Sequence, residues 1–270
     1  MGRLSGKVAV ISGAARGQGR AHAITMAREG AAVVAFDICE PLTSPMHPAS
    51  TWKDLEETRA LVEELGGQCL ISKTDARDLA GLKQLAADAV DRFGRVDVLI
   101  VNHGIWAIAP NSWSVDEEDW QESVDVLLTG AWKVTKAFIP AILDGGRGGS
   151  IILTSSAMGQ KPQPGSVAYT VAKHGVLGLM RTLSWELGAE SVRVNALMPG
   201  TIATPMTQEG GTVEQSVEYF PRFFTTDRSL LPASWLSPQA IADAALFLAS
   251  DDSAFISGVA IPVDAGWSNF

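Results

Sequence analysis

Short apolar runs alternate with longer amphipathic stretches along almost the whole chain: "KVAVISG", then residues 18–28, "AAVVAFD", 55–65, "CLISKTD", 79–93 and "VDVLIVNHG". The runs lack the period-two pattern of a strand with one solvated face, so each reads as a strand buried on both sides. A sheet of such strands needs helices above and below it, and the intervening stretches have the length and pattern to supply them. The rhythm continues through a helical stretch around 117–143, "GSIILTSSA", a helix carrying "YTVAK", "VRVNALMPG", a helix near 238–249 and "GVAIPVDAG". Repeated right-handed βαβ units predict one α/β domain over residues 1–270, a doubly wound, mostly parallel sheet of about seven strands with helices on both faces.

Two segments break the rhythm. Residues 38–52, "ICEPLTSPMHPASTW", make a loop where a strand-to-helix connection usually takes about two to six residues, and loops that long are usually functional or disordered. Residues 204–236 contain Tyr219, Phe220, Phe223, Phe224 and Trp235, too many aromatics for a solvated linker, and read as a mobile substrate lid or as a satellite helix pair on the core or a neighbouring subunit.

A formal net charge of −9 argues against nucleic acid or anionic lipid as partner, because both reward clustered Lys and Arg. Cys39 and Cys69, in no CxxC or Cys/His cluster, fit a reducing cytoplasm and exclude a disulfide framework. With no apolar leader in "MGRLSGKVAVIS" and no apolar stretch of about 18 residues, a soluble, unprocessed protein is expected.

An anion therefore has to be bound locally, and "VAVISGAARGQGRAHA" offers the place. Gly13, Gly17 and Gly19, flanking Arg16 and Gln18, lie between the first strand and the first helix, where backbone N–H groups and the helix N-terminus favour a pyrophosphate. Asp37 ends the second strand, 18 residues after Gly19, where a carboxylate accepts from adenosine ribose hydroxyls and repels a 2′-phosphate. NAD is favoured over NADP, although Arg16 could pair with a 2′-phosphate. Tyr169 and Lys173, at i and i+4 in "SVAYTVAKHG", share a helix face and are either a solvated surface pair or a chemical one.

Taken together, "SGAARGQG", "TDARD", "VNHG", "ILTSSAMG", "YTVAK" and "VNALMPGTIAT" resemble the short-chain dehydrogenase/reductase family in order and spacing over essentially the whole length. Within it the glycine loop, the end of "AFDIC" and the long loop resemble the carveol dehydrogenase-like, mycofactocin-associated branch. The resemblance implies a Rossmann-type catalytic domain with Ser156, Tyr169 and Lys173 as catalytic residues and no metal. It further implies that Asp75 holds the adenine amino group, that Asn102 and Gly104 flank the adenosine side, and that Pro199, Ile202 and Thr204 belong to the turn holding the nicotinamide carboxamide. A homotetramer is the implied assembly.

The implied reaction moves a hydride between NAD and a small, mostly apolar secondary alcohol or ketone, with a carveol-like terpenoid alcohol as the guess. The branch also implies tightly held NAD and mycofactocin as electron acceptor. A phenol titrating near 10 costs about 4 kcal/mol to ionise near neutrality. One cation at about 4 Å and an effective dielectric of about 20 is worth about as much, so Lys173 and an oxidised nicotinamide suffice.

Two positions depart from the family. Leu127 replaces the usual asparagine in "DVLLTG", removing the side-chain amide that holds a local helix kink, and a slower or rerouted proton exit is expected. His103 replaces the usual alanine in "NHG", as a packed histidine or as a ring near the cofactor ribose. A non-catalytic NAD-binding redox sensor or scaffold on the same fold is the competing reading; a nucleotide-sugar epimerase or dehydratase would need a longer C-terminal substrate domain.

Overall fold

Each apolar run becomes a strand and each amphipathic stretch a helix in the computed structural model, which describes residues 2–226, 229–233 and 235–269. The first half runs β1 (Val8–Ser12), α1 (Gly17–Arg28), β2 (Ala32–Asp37), α2 (Trp52–Glu64), β3 (Cys69–Lys73), α3 (Leu79–Phe93) and β4 (Val98–Val101). The second half runs α4 (Glu117–Val124), α5 (Gly130–Asp144), β5 (Gly149–Thr154), α6 (Val167–Leu187), β6 (Val192–Pro199), three short helices α7 (Pro205–Gln208), α8 (Thr212–Tyr219) and α9 (Pro221–Thr226), then α10 (Pro238–Ala249) and β7 (Ala260–Val263).

The seven strands are parallel, in the order β3-β2-β1-β4-β5-β6-β7. The chain steps outward from β1 to β3 and then returns to pair β4 with β1, so the loops after β1 and β4 diverge above the sheet. That divergence opens a crevice at the carboxyl ends of the strands. The unalternating apolar runs are explained by two cores: Val8 and Val10 face a layer with Leu99, Phe36 and Phe138, while Ala9 and Ile11 face the other with Met26, Ile100 and Leu246. The rings of Phe36 and Phe138 stack at 6.3 Å across the first layer.

Four expectations need correction. Helix α2 starts at Trp52 rather than 55, because Thr51 and Asp54 form a reciprocal capping box, and Trp52 thereby leaves the long loop. The segment after Ile202 holds three short helices, not a pair; its positions 227, 228 and 234 lie outside the described residues. The kink between α4 and α5 survives without a side-chain amide at Leu127: Asp125–Thr129 form a π-helical turn in which the Gly130 N–H donates to the Asp125 carbonyl, five residues back. The stretch Glu117–Asp144 is also, by length and composition alone, apolar enough to cross a membrane, contrary to the reading that no such stretch exists. Ala131, Val134 and Phe138 of that stretch pack into the first core layer.

His22 on α1 is wholly buried and neither ring nitrogen has a hydrogen-bond partner among the described residues. Burial disfavours the imidazolium and lowers the His22 pKa to about 4. The unfolded chain, titrating near 6.5, takes up that proton first, so the contribution is complete above about pH 6.5 and is lost as pH falls towards 4, by about 3 kcal/mol. Urea midpoints of the parent and of His22→Leu, followed from pH 7 to pH 4, should shift steadily in favour of the leucine variant as the pH drops; parallel curves would refute this.

Candidate active site

The glycine loop turns tightly because Gly13 adopts φ +65°, a left-handed conformation that a side chain resists. Gly19 is needed for contact: a Cβ there would lie 1.9 Å from the Gly13 carbonyl oxygen, so its absence lets α1 sit on the loop. Asp37, buried at the end of β2, ties this loop in place. Its Oδ2 accepts from the Ala15 N–H at 3.0 Å, and its Oδ1 accepts from Ser50 Oγ at 2.6 Å and the Cys39 N–H at 3.3 Å. Arg16 donates through Nη2 to the Pro48 carbonyl at 2.6 Å.

Between these elements and the ends of β3 and β4 lies a cleft of about 380 Å³, lined by Gly13, Arg16, Gly17, Gln18, Asp37 and Asp75 on one side and by Asn102, Gly104 and Thr204 on the other. Burial opposes ionisation of Asp75, but hydrogen bonds and charge from Arg77 outweigh it and hold the carboxyl below the usual range. Asn102 is fixed by its N–H to Ser12 Oγ at 2.8 Å. Gly17 abuts Thr204, whose Cγ2 would stand 3.1 Å from a Cβ at that glycine. The nucleotide-side residues and the turn after β6 thus meet across the cleft.

At its inner end the cleft meets a second cavity of about 140 Å³, with Ser156, Tyr169, Lys173, Pro199, Ile202 and Thr204 in its wall. Tyr169 and Lys173 lie one turn apart on α6, and Lys173 Nζ is 5.6 Å from the Tyr169 ring centroid. Nζ donates to the Thr154 carbonyl at 2.7 Å, anchoring the lysine to β5. Burial lowers the Lys173 pKa to about 7 and pushes the Tyr169 phenol above its ordinary value, against a hydrogen bond shared with Ser156. The expectation of a fully charged lysine beside the phenol is corrected: burial lowers its pKa to about 7, so it is only partly charged near neutrality. Every site residue expected from sequence lines one of the two cavities except Gly19, whose place is against the loop backbone.

Several supports had no signal in the sequence. Ser155 Oγ donates to the Lys173 carbonyl at 2.8 Å, locking α6 to β5. Trp106 closes the inner cavity and donates through Nε1 to Ser166 Oγ at 3.0 Å. The long loop is strapped down on both banks: the Thr43 and Ser44 N–H groups donate to the Glu122 carboxylate at 3.3 and 2.7 Å, and the Met46 carbonyl presses on Gly210, where a Cβ would come within 2.3 Å.

Over residues 13–268 the chain matches the family described as enoyl-(acyl carrier protein) reductase. It is 41% identical to the (−)-trans-carveol dehydrogenase of Rhodococcus erythropolis, covering 98% of this chain and 99% of that protein. The crystal structure of carveol dehydrogenase from Mycobacterium avium in complex with NAD superposes with a TM-score of 0.94 at 41% identity, covering all of both chains. A short chain dehydrogenase from Mycobacterium paratuberculosis bound to NAD superposes equally well, at TM-score 0.94, 41% identity and full coverage of both. With its parallel seven-stranded sheet, glycine loop and serine, tyrosine and lysine gathered at one end of one crevice, the chain belongs to the short-chain dehydrogenase/reductase family.

Proposed function

We propose that the protein is an NAD-dependent alcohol dehydrogenase acting on a small, mostly apolar secondary alcohol, or reducing the corresponding ketone. The observation that carries this reading is the convergence of Ser156, Tyr169 and Lys173 on the wall of a cavity whose other lining includes Trp106, Met158 and Phe224 and which opens into the nucleotide-sized cleft. The residues present fit NAD. Gly13 and Gly17 leave the backbone open to a pyrophosphate, Asp37 offers a carboxylate at the ribose position, and Gln18 Oε1 is buried in the cleft wall without a partner. Nicotinamide, when bound, supplies the hydride acceptor.

Ser156 then holds the substrate oxygen while Tyr169, hydrogen-bonded to it, takes the hydroxyl proton. Lys173 stabilises the phenolate, and the Thr154 carbonyl and Ser155 Oγ at the end of β5 hold the lysine in register. The three short helices between Thr204 and Trp235 act as a substrate lid, supported by Val213 and Phe224 in the inner cavity wall. A carveol-like terpenoid alcohol fits that apolar lining, and the relatives named above point the same way. The net charge of −9 supports a partner set without nucleic acid or membrane, in the cytoplasm, and a homotetramer is the assembly carried over from the family. The π turn at Asp125–Thr129 supports a catalytic reading over a non-catalytic sensor.

Purified protein given NAD and (−)-trans-carveol should produce reduced nicotinamide, and should do so far more slowly with NADP; no turnover on this or other cyclic secondary alcohols would sink the reading.

The strapped loop supports a second part of the proposal: NAD is held too tightly to exchange, and an external acceptor such as mycofactocin reoxidises it in place. Two hydrogen bonds to the charged Glu122 hold the strap, each worth about 1.5–3 kcal/mol. Glu122→Ala should accelerate NAD release by about tenfold or more, read as cofactor lost on dialysis. If the parent itself loses its nicotinamide on simple dialysis, the retained-cofactor reading fails.

A further inference from the structure

A π-helical turn leaves a carbonyl without its ordinary helical donor, and at Asp125–Thr129 the Val126 carbonyl finds its partner outside the helix. His103 Nε2 lies 3.1 Å from that oxygen, and His103 Nδ1 lies 2.8 Å from Ser12 Oγ at the end of β1. A carbonyl can only accept, so Nε2 carries the hydrogen, and Nδ1 of the neutral ring accepts from the Ser12 hydroxyl. Ser12 Oγ accepts in turn from the N–H groups of Asn102 and His103, at 2.8 and 3.2 Å. Every hydrogen in this chain of bonds has a place. Burial, with Lys173 adding to it and the Val126 carbonyl and Asp75 opposing, lowers the His103 pKa to about 4, which keeps the ring neutral at working pH.

The turn that His103 holds is the packing surface beneath the reactive pair. Leu127 and Val126 form a buried cluster with Ile105 and Ala172, and Tyr169 packs against it. A Cβ at Gly104 would lie 3.1 Å from Leu127 Cδ2 and 3.8 Å from Lys173 Nζ, so the turn, the strand end and the lysine meet at one point. A shift of the turn is transmitted directly to α6, because Ala172 stands between Tyr169 and Lys173 in the same cluster.

We propose that His103 is a positioning residue for the Tyr169–Lys173 pair, acting through the hydrogen bond from its Nε2–H to the Val126 carbonyl. The inference rests on the dehydrogenase reading for its kinetic arm only. Two near-isosteric substitutions separate the ring's two bonds. His103→Gln keeps a donor near the Nε2 position, and His103→Asn keeps an acceptor near Nδ1 but cannot reach Val126.

With NAD and (−)-trans-carveol, His103→Asn should lose about tenfold or more in kcat with the KM for the alcohol and the affinity for NAD within about threefold of the parent. His103→Gln should stay within about threefold in kcat. Equal losses in the two variants, or none in His103→Asn, would overturn the proposal. A second readout needs neither turnover nor a folded Asn variant: ring ¹⁵N chemical shifts of the parent at pH 7 should show a neutral His103 protonated at Nε2, assigned by its absence from the Gln variant. An Nδ1–H tautomer or an imidazolium would overturn the proposal on its own. A parent that does not oxidise the alcohol would count against the dehydrogenase reading, and the spectrum would still decide the role of the His103 bond.

Discussion

The Tyr169→Phe protein is expected to bind NAD as the parent does and to oxidise a secondary alcohol about 10²–10⁴-fold more slowly, the usual worth of a general base. The substitution removes one hydroxyl and keeps the ring that packs on Val126, Leu127 and Ala172, so the fold and cofactor cleft have no reason to change. What is lost is the group that shares a hydrogen bond with Ser156 and receives the proton. The pH dependence has a definite sign. Burial raises the phenol above its ordinary value, so at neutrality the protonated form dominates and the basic form grows as pH rises. Alcohol oxidation by the parent should therefore increase towards alkaline pH, ketone reduction should decrease, and Tyr169→Phe should show neither limb. Fluorescence titration with NADH beside steady-state pH profiles checks both halves; a variant as fast as the parent would remove Tyr169 from the reaction.

Replacing Asp37 by asparagine should shift the preference from NAD towards NADP by about 10²–10³-fold. The argument is electrostatic. A carboxylate and a phosphate about 4 Å apart at an effective dielectric of about 20 repel by about 4 kcal/mol, and that term vanishes with the charge. Asparagine keeps one acceptor oxygen, which can hold the Ala15 N–H while its NH2 donates to Ser50 Oγ, and only the weaker bond from the Cys39 N–H is lost. Arg16 lines the same cleft and keeps its charge while it donates to the Pro48 carbonyl, so it favours a 2′-phosphate once the carboxylate is gone. Dissociation constants for NAD and NADP with both proteins give the ratio directly, and an unchanged ratio would place the adenosine ribose elsewhere.

The two proteins would also separate binding from chemistry. Tyr169→Phe leaves the nucleotide affinity and removes turnover, whereas Asp37→Asn leaves the reactive triad and alters which nucleotide reaches it. His103→Asn falls between them, lowering kcat with both affinities intact. Three distinct signatures from one crevice test the division of labour along it: nucleotide choice at the β2 end, proton transfer on α6, and alignment from the strand end after β4.

Much of this was readable in the chain. Five consecutive buried residues in "VAVIS" cannot alternate, so the strand had to be covered on both faces, and Val10 and Ile11 do point into different cores. Glycine at 13 and carboxylate at 37 could be placed at one cleft because backbone approach and short-range charge are local properties. Tyr169 and Lys173 share a helix face by spacing alone. By contrast, nothing in "NHG" tells that His103 reaches Val126, 23 positions away, and nothing in "DEEDWQES" marks Glu122 as the clasp of a loop 78 positions earlier. The partner of the π turn was not readable either: the Val126 carbonyl is met by His103 from another strand end, not by a residue of the turn.

Hydrophobic periodicity and the conformational freedom of glycine act within a few residues, so the order of strands and helices and the identity of the anion loop were determined by the sequence by itself. The charge state of Lys173, the tautomer of His103, the strap over the cleft and the contact between Gly17 and Thr204 were decided only by the tertiary structure, because burial and hydrogen-bond partners depend on which distant segments the return from β3 to β4 brings together.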